Sequence, residues 1–321
     1  MAVSESQLIE RYFRELGARR DDTVLGIGDD AALLRVPGGC ELALTTDALV
    51  EGVHFLPGAA PRALGHRALA VNLSDIAAMG ASPSWALLAL NLPLADEGWL
   101  GEFAAGFGAL ARAHEVALVG GNLSRGALSI TVQLAGLVPA GQALRRAGAR
   151  AGDDLYLSGS VGDAACGLKI LRGDTAAIPA DAAWLQQRFE YPTARVALGQ
   201  ALRGIASACI DVSDGVYIDA TRLLTASGCG ATLEIERLPL SPALQRTLGD
   251  QAWRSALGGG EDYELCFAAA PAQAGAVAAV AARTGQAVTR IGALHAGAGL
   301  TLAAAGAVMQ FSPSGFDHFG N

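Results

Sequence analysis

The sequence predicts an α/β protein of two mixed α/β domains. Three observations carry that expectation. The chain has 321 residues, about two domains at ~150 residues each. Short apolar runs alternate with longer runs of helical period, the order expected when helices cover mixed sheets. One device also occurs twice: an apolar run, then glycine and paired carboxylates, at residues 25–32 (LGIGDDAA) and again at 207–215 (SACIDVSDG). The polar, Arg-rich stretch 141–152 is the expected junction, giving an N-terminal domain over 1–140 and a C-terminal one over 141–321.

Ser4 and Gln7 form a capping-box pair ahead of a helix whose apolar face is Leu8, Ile9, Tyr12, Phe13 and Leu16. Residues 24–27 read as a strand entering the Asp29–Asp30 turn. Residues 41–45 read as a second strand, ending in Thr45-Thr46-Asp47. A long helical pattern runs from Pro61 to Gly80 and contains Asp75 between apolar neighbours. A carboxylate in that setting needs a partner, because burying it unpaired is costly. Strands follow at 85–92, 116–119 and 128–138, with a helix over 101–114. Gly120-Gly121-Asn122 reads as a turn, followed closely by Arg125.

In the second half, residues 155–158 read as a strand that runs through glycines into a helix bearing Lys169. Such a junction can offer backbone N–H groups to a phosphate, but it lacks the Gly-Lys-Ser/Thr of a P-loop. A strand over 207–210 delivers Asp211 and Asp214. Gly258-Gly-Gly-Glu261-Asp262-Tyr263 precedes a strand over 264–267, and a helix over 271–284 and two strands close the domain. The tail carries Phe316 and Phe319 and is expected to fold back over a site.

Composition narrows the classes. The formal net charge is −8, with 23 basic against 31 acidic residues, which argues against a nucleic-acid partner. No apolar run reaches the ~18 residues of a membrane span. The five cysteines form no CxxC pair and read as reduced thiols. The N-terminus lacks a basic-then-apolar leader pattern. A cytoplasmic protein is expected.

Asp29, Asp30, Asp47, Asp75, Asp211 and Asp214 are all expected at strand ends, glycine turns or helix faces. Thr45, Thr46 and Asn122 add further oxygen donors. Hard cations such as Mg²⁺ take oxygen ligands and share them with phosphates, so the pattern points to a multi-metal site for phosphoryl transfer. Lysine is nearly absent, Lys169 standing alone; metals with Arg146 or Arg125 would then neutralise phosphate. His66, His114 and His295 are expected in surface or core roles.

Together the motifs GIGDDAA, TTD, VNLSDIAAMG, GGNLSRG, IDVSDG and GGEDYEL resemble the thiamine-monophosphate kinase family, over the whole length of the chain. That family lies in the superfamily of aminoimidazole ribonucleotide synthetase, selenophosphate synthetase and a hydrogenase-maturation dehydratase. The resemblance implies two α/β domains, a homodimer, several Mg²⁺ ions, and transfer of phosphate from ATP to thiamine monophosphate. It implies Asp30, Thr45, Thr46, Asp47, Asp75, Asn122, Asp211 and Asp214 as metal ligands. It implies Gly121, Asn122, Arg146 and Ser213 as ATP contacts, and His54, Glu261 and Phe316 as contacts to thiamine monophosphate. No side chain is implied as a general base. Asn122 departs from the family pattern, which has Asp there. The rivals are another ATP-dependent enzyme of the superfamily and a non-catalytic nucleotide- and Mg²⁺-binding regulator. The reactive Cys and Lys expected near the N-terminus of a selenophosphate synthetase are absent, as is the C-terminal cysteine of the maturation proteins.

Overall fold

The computed structural model describes residues 4–312. The chain divides into two compact units, Met1–Ile76 with Ala81–Gly141, and Ala77–Gly80 with Gln142–Asn321.

The first unit opens with α1 (Glu5–Tyr12), which carries the expected capping box. The Ser4 hydroxyl accepts from the Gln7 N–H, and the Gln7 side chain accepts from the Ser4 N–H at 2.9 Å. A small antiparallel pair follows, β1 (Thr23–Leu25) with β2 (Leu33–Leu34). The main sheet contains β3 (Cys40–Val50), β4 (Ser82–Leu92), β5 (Ala117–Arg125) and β6 (Ser129–Pro139), in the order β3-β6-β4-β5. Only the β4–β5 pair is parallel among these. Helices α2 (Pro61–Ala78) and α3 (Glu97–Ala113) complete the unit. They approach closely enough that a Cβ on Gly65 would lie 2.1 Å from the Phe103 carbonyl, and one on Gly106 would lie 2.0 Å from the Arg62 carbonyl. Only glycine fits at either place.

Two expectations fail here, for one reason. β3 does not stop at residue 45 but runs on in unbroken register with β6, from Cys40 opposite Pro139 to Val50 opposite Ser129. Thr45, Thr46 and Asp47 therefore lie in mid-strand. Gly120, Gly121 and Asn122 lie inside β5, not in a turn. Asp47 and the Gly120-Gly121-Asn122 run are poor strand formers, so local sequence points to a strand end at both places. Cross-strand pairing outweighed it.

The second unit contains a seven-stranded mixed sheet. Its strands are β7 (Asp154–Ser158), β8 (Ala208–Val212), β9 (Gly230–Glu234), β10 (Glu264–Ala269), β11 (Val288–His295), β12 (Gly299–Ala304) and β13 (Ala307–Met309), ordered β13-β12-β9-β11-β7-β10-β8. Three strands close the domain, not two. β10, between β7 and the edge strand β8, is buried along its whole length, as expected for a strand covered on both faces. The unit's α-helices among the described residues are α4 (Asp163–Arg172), α5 (Pro179–Glu190), α6 (Val196–Ala201), α7 (Val216–Ser227), α8 (Pro242–Leu248), α9 (Ala252–Gly258) and α10 (Ala274–Thr284). Leu157, Ile210, Val212, Leu223, Leu233 and Ile291 are central to the core.

Candidate active site

The expected ligands fall into three groups, two on the first unit and one on the second. The first group forms around α2. Strand residues opposite each other share a face, and Asp47 lies in one row with Val132, Leu88 and Gly121. Val132 and Leu88 are buried, so Asp47, and Thr45 two residues before it, lie on the core face. There the Thr45 hydroxyl donates to Asp75 at 2.5 Å. Asp75 is half-buried. The residue type is right for the position, because the carboxylate late in an apolar helix has found an oxygen donor from the neighbouring strand.

The second group lies on the opposite face of the sheet. Asn122 sits in the row of Ala89 and Thr131. Thr46 shares a row with Gln133 and Leu87, and its hydroxyl donates to the Val132 carbonyl at 3.1 Å. A cavity of about 770 Å³ opens on this side, and its walls include Asp29, Asp30, Gly121 and Asn122. Asp29 and Asp30 are exposed. Their turn is tightened by the Asp30 N–H, which donates to the Asp29 carboxylate at 2.8 Å, and by Arg14, whose guanidinium donates to the Ile27 carbonyl at 3.2 Å. Gly121 has φ +152°, and a Cβ there would come within 1.9 Å of the Leu88 carbonyl. This position has to be glycine, whatever the backbone contacts. The two-residue period of β3 thus splits Thr45 and Asp47 from Thr46, a separation that the spacing of the three residues hides.

His54 closes the turn after β3. The Val50 N–H donates to its Nδ1 at 3.0 Å, so the neutral ring carries its hydrogen on Nε2.

The third group belongs to the second unit. Asp211 is buried near the end of β8, and Ser213 and Asp214 follow in the turn before α7. The Asp214 N–H donates to Asp219 at 2.9 Å, and Arg222 donates to both Asp214 and Asp219. Burial pushes the Asp219 carboxyl up to about 6, opposed by the Asp214 N–H that favours its charged form. The loop before β10 is fastened to the same turn. The Glu261 N–H donates to the Ser213 carbonyl and the Tyr263 N–H to the Val212 carbonyl, both at 2.8 Å. Glu261 and Tyr263 have φ of +67° and +53°. Positive φ at non-glycine residues costs roughly 1 kcal/mol or more each and gathers at functional sites. The Tyr263 hydroxyl donates to the Glu261 carboxylate at 2.7 Å, fixing where that carboxylate points.

Arg146 is exposed on the segment that runs beside β8. The Cys209 N–H donates to the Arg145 carbonyl at 2.8 Å, and Ser227 donates to the Arg146 carbonyl at 2.9 Å. Both bonds hold the backbone and leave the guanidinium to solvent-side contacts. Phe316 lies outside the described residues.

Of the two readings open for the start of α4, a phosphate cradle or a simple strand-to-helix turn, the structure has the turn, its N–H groups already taken. The Gly162 N–H donates to Asp262 at 2.6 Å and the Ala164 N–H to the same carboxylate at 3.4 Å. The Val161 and Gly159 N–H groups are taken by the Pro239 and Ala287 carbonyls. A buried side chain from a distant loop occupies the place where an anion would sit. Burial pushes the Asp262 carboxyl well above the usual carboxylate range. The sequence reading gives no role to Asp219, Arg222 or Asp262. Asp219 and Asp262 left a faint signal: one is an acid in the first turn of a helix, the other adjoins a triple glycine.

Among the described residues, no three His, Cys, Asp or Glu side chains gather into a group that could hold a metal ion. The donors are all oxygens, carboxylates with threonine hydroxyls and an amide carbonyl, divided between the two faces of the first unit's sheet and the turn after β8. That set suits a hard cation such as Mg²⁺, which keeps several waters and shares phosphate oxygens.

The comparisons with known proteins agree with one another. The AIR synthase related protein N-terminal domain matches residues 28–138, and its C-terminal counterpart matches residues 150–304. The chain is 47% identical to thiamine-monophosphate kinase of Salmonella typhimurium, over 99% of each chain. This chain belongs to the thiamine-monophosphate kinase family. Its fold agrees with two solved members. The enzyme from Stenotrophomonas maltophilia is 46% identical with a TM-score of 0.84, over 89% of this chain and 92% of the other. AaThiL complexed with AMPPCP and TMP is 34% identical with a TM-score of 0.77, over 89% of each. No helix among the described residues is long and apolar enough to cross a membrane.

Proposed function

We infer that the chain transfers the terminal phosphoryl group of ATP to thiamine monophosphate, yielding thiamine diphosphate and ADP. The observation that carries this is the likeness to a thiamine-monophosphate kinase over 99% of both chains. The AaThiL complex with AMPPCP and TMP supports the pairing of an ATP-like ligand with this fold.

Asp30, Thr45, Thr46, Asp47, Asp75, Asn122, Asp211 and Asp214 hold Mg²⁺ in this reading. Bound there, the metal supplies neutralisation of charge on the transferring group. Gly121, Asn122, Arg146 and Ser213 contact the nucleotide, Gly121 by letting the ligand approach bare backbone. His54, Glu261 and Phe316 contact thiamine monophosphate. Glu261 suits a cationic partner, because Tyr263 holds its carboxylate in place, and the thiazolium of the substrate is such a cation. The acceptor is a phosphate monoester with second pKa near ~6, already ionised at neutral pH. No side chain has to remove a proton. Alignment and charge neutralisation then carry the rate.

The chain acts as a homodimer. The cavity-side face of the first unit's sheet supports this, since Leu42, Leu44 and Leu87 are 43%, 59% and 38% exposed there, and an apolar patch on one face suits a self-complementary contact. Five unpaired cysteines fit a cytoplasmic setting. A coupled ADP-release assay with thiamine monophosphate, free thiamine and other phosphate monoesters tests the activity. Turnover with thiamine monophosphate alone is expected; equal turnover without any acceptor would refute the assignment.

A further inference from the structure

Asp214 is not an empty ligand. One nitrogen, Arg222 Nη1, donates to the carboxylates of both Asp214 and Asp219, the latter at 2.8 Å. The three groups differ in how they are held. Asp219 is anchored: its side chain is 1% exposed, and its second oxygen accepts the Asp214 N–H at 2.9 Å. Arg222 stands three residues further along α7, on the same face of the helix. Its side chain is 46% exposed and that of Asp214 is 34% exposed. The buried carboxylate fixes one end of the ion-pair triad, and the exposed arginine with the half-exposed Asp214 forms its movable end.

We propose that Arg222 is a displaceable counter-cation for Asp214, retained by Asp219 when a divalent cation takes the Asp214 carboxylate. This rests on the reading of Asp214 as a metal ligand. A guanidinium and a divalent cation compete for the same oxygens, so the metal has to displace an existing charge-assisted bond. Asp219 lowers the penalty of displacement, because Arg222 keeps one carboxylate partner and stays beside the site. Arg222 is therefore a positioning residue. It keeps two like charges from repelling in the metal-free protein and sets how much divalent cation is needed to fill that position. A single exposed ion pair is worth little, but here one arginine bridges two carboxylates, one of which already accepts the backbone N–H of the other residue.

The test is Mn²⁺ binding followed by the electron-paramagnetic-resonance signal of free Mn²⁺, in the full chain without nucleotide. Asp214→Asn defines which binding step belongs to Asp214. In Arg222→Gln that step is expected three- to tenfold tighter, and Mn²⁺ should raise the melting temperature more than it does in the natural protein. Arg222→Lys keeps the charge and should bind as the natural protein does. If Asp214→Asn removes no binding step, the metal-ligand reading fails and the competition falls with it. If Asp214→Asn weakens a step but Arg222→Gln leaves it unchanged or weaker, Asp214 remains a ligand and the counter-cation role is overturned.

Discussion

The turn at Asp29–Asp30 and the loop at Glu261–Asp262 are written alike, as a glycine followed by two carboxylic acids, and the protein treats them in opposite ways. Asp29 and Asp30 are exposed at a cavity wall. Asp262 is 1% exposed and receives two backbone N–H groups from the start of α4, while Glu261 is held by Tyr263. The first pair faces solvent at the cavity. The second pair has its partners supplied by the chain. A carboxylate surrounded by protein donors organises the fold, and one facing water beside other oxygens can serve a ligand. Thr45 with Asp75 lies between these extremes, where a hydroxyl donates to a half-buried carboxylate that still has acceptor capacity.

The largest effect is expected at Asp75. Asp75→Asn removes the charge that the Thr45 hydroxyl supports and should lower turnover by more than ~10³-fold, the size of losing a major electrostatic contact. Circular dichroism and the melting curve should remain native. Near-normal ADP release from this variant would break the division into ligand and structural carboxylates.

Asp262 and Asp30 give the sharpest contrast in stability. Asp262→Ala leaves two buried N–H groups without acceptors, at about 1–3 kcal/mol for an unsatisfied buried group. A clear loss is expected in urea unfolding, together with a raised KM for thiamine monophosphate because Glu261 adjoins it. Asp30→Ala sits on an exposed turn and should stay within about 0.5 kcal/mol of the natural protein, while activity falls. Reversed stabilities would show that exposure does not separate the two kinds of acid.

Much of this was legible from residues alone. The capping box at Ser4 and Gln7, the helix from Pro61, and the strand that delivers Asp211 follow local rules of spacing and capping, and the structure has them. The lengths of β3 and β5 were not legible, because Asp47 and Gly120-Gly121-Asn122 have weak strand propensity and depend on their neighbours in the sheet. The trans-cap by Asp262 joins residues about a hundred positions apart, and no local pattern encodes such a distance. Arg222 gives no local signal, because its role depends on Asp214 and Asp219 both lying within its reach in the fold.

A smaller effect is expected at Lys169. It lies in the last turn of α4, where a cation complements the helix dipole by about 0.3–1 kcal/mol. Lys169→Ala should lower stability by no more than that and change turnover by less than ~10-fold. A loss above ~10³-fold would mean that this lysine reaches phosphate after all, and that the second unit has an anion site which Asp262 does not preclude.

The smallest and most selective change is expected at Asn122. Pairing with Ala89 on β4 places it on the cavity side of the sheet, exposed and next to Gly121, where backbone and ligand can approach. An amide carbonyl there offers a metal an oxygen without charge. Asn122→Asp adds the charge while leaving shape and strand pairing as they are, so the fold should not change. Half-maximal activity should then require less Mg²⁺ at fixed ATP. A tenfold gain in apparent affinity would correspond to about 1.4 kcal/mol, a reasonable size for one added charge beside a partly hydrated ion. Asp30 lines the same cavity and already carries a charge, so Asp30→Asn should shift the Mg²⁺ curve in the opposite direction. Opposite shifts from two residues on one wall would show that the cavity responds to charge as a cation site should. Superimposable curves for the natural protein and Asn122→Asp would remove Asn122 from the ligand set and leave this part of β5 to serve the nucleotide through Gly121 alone.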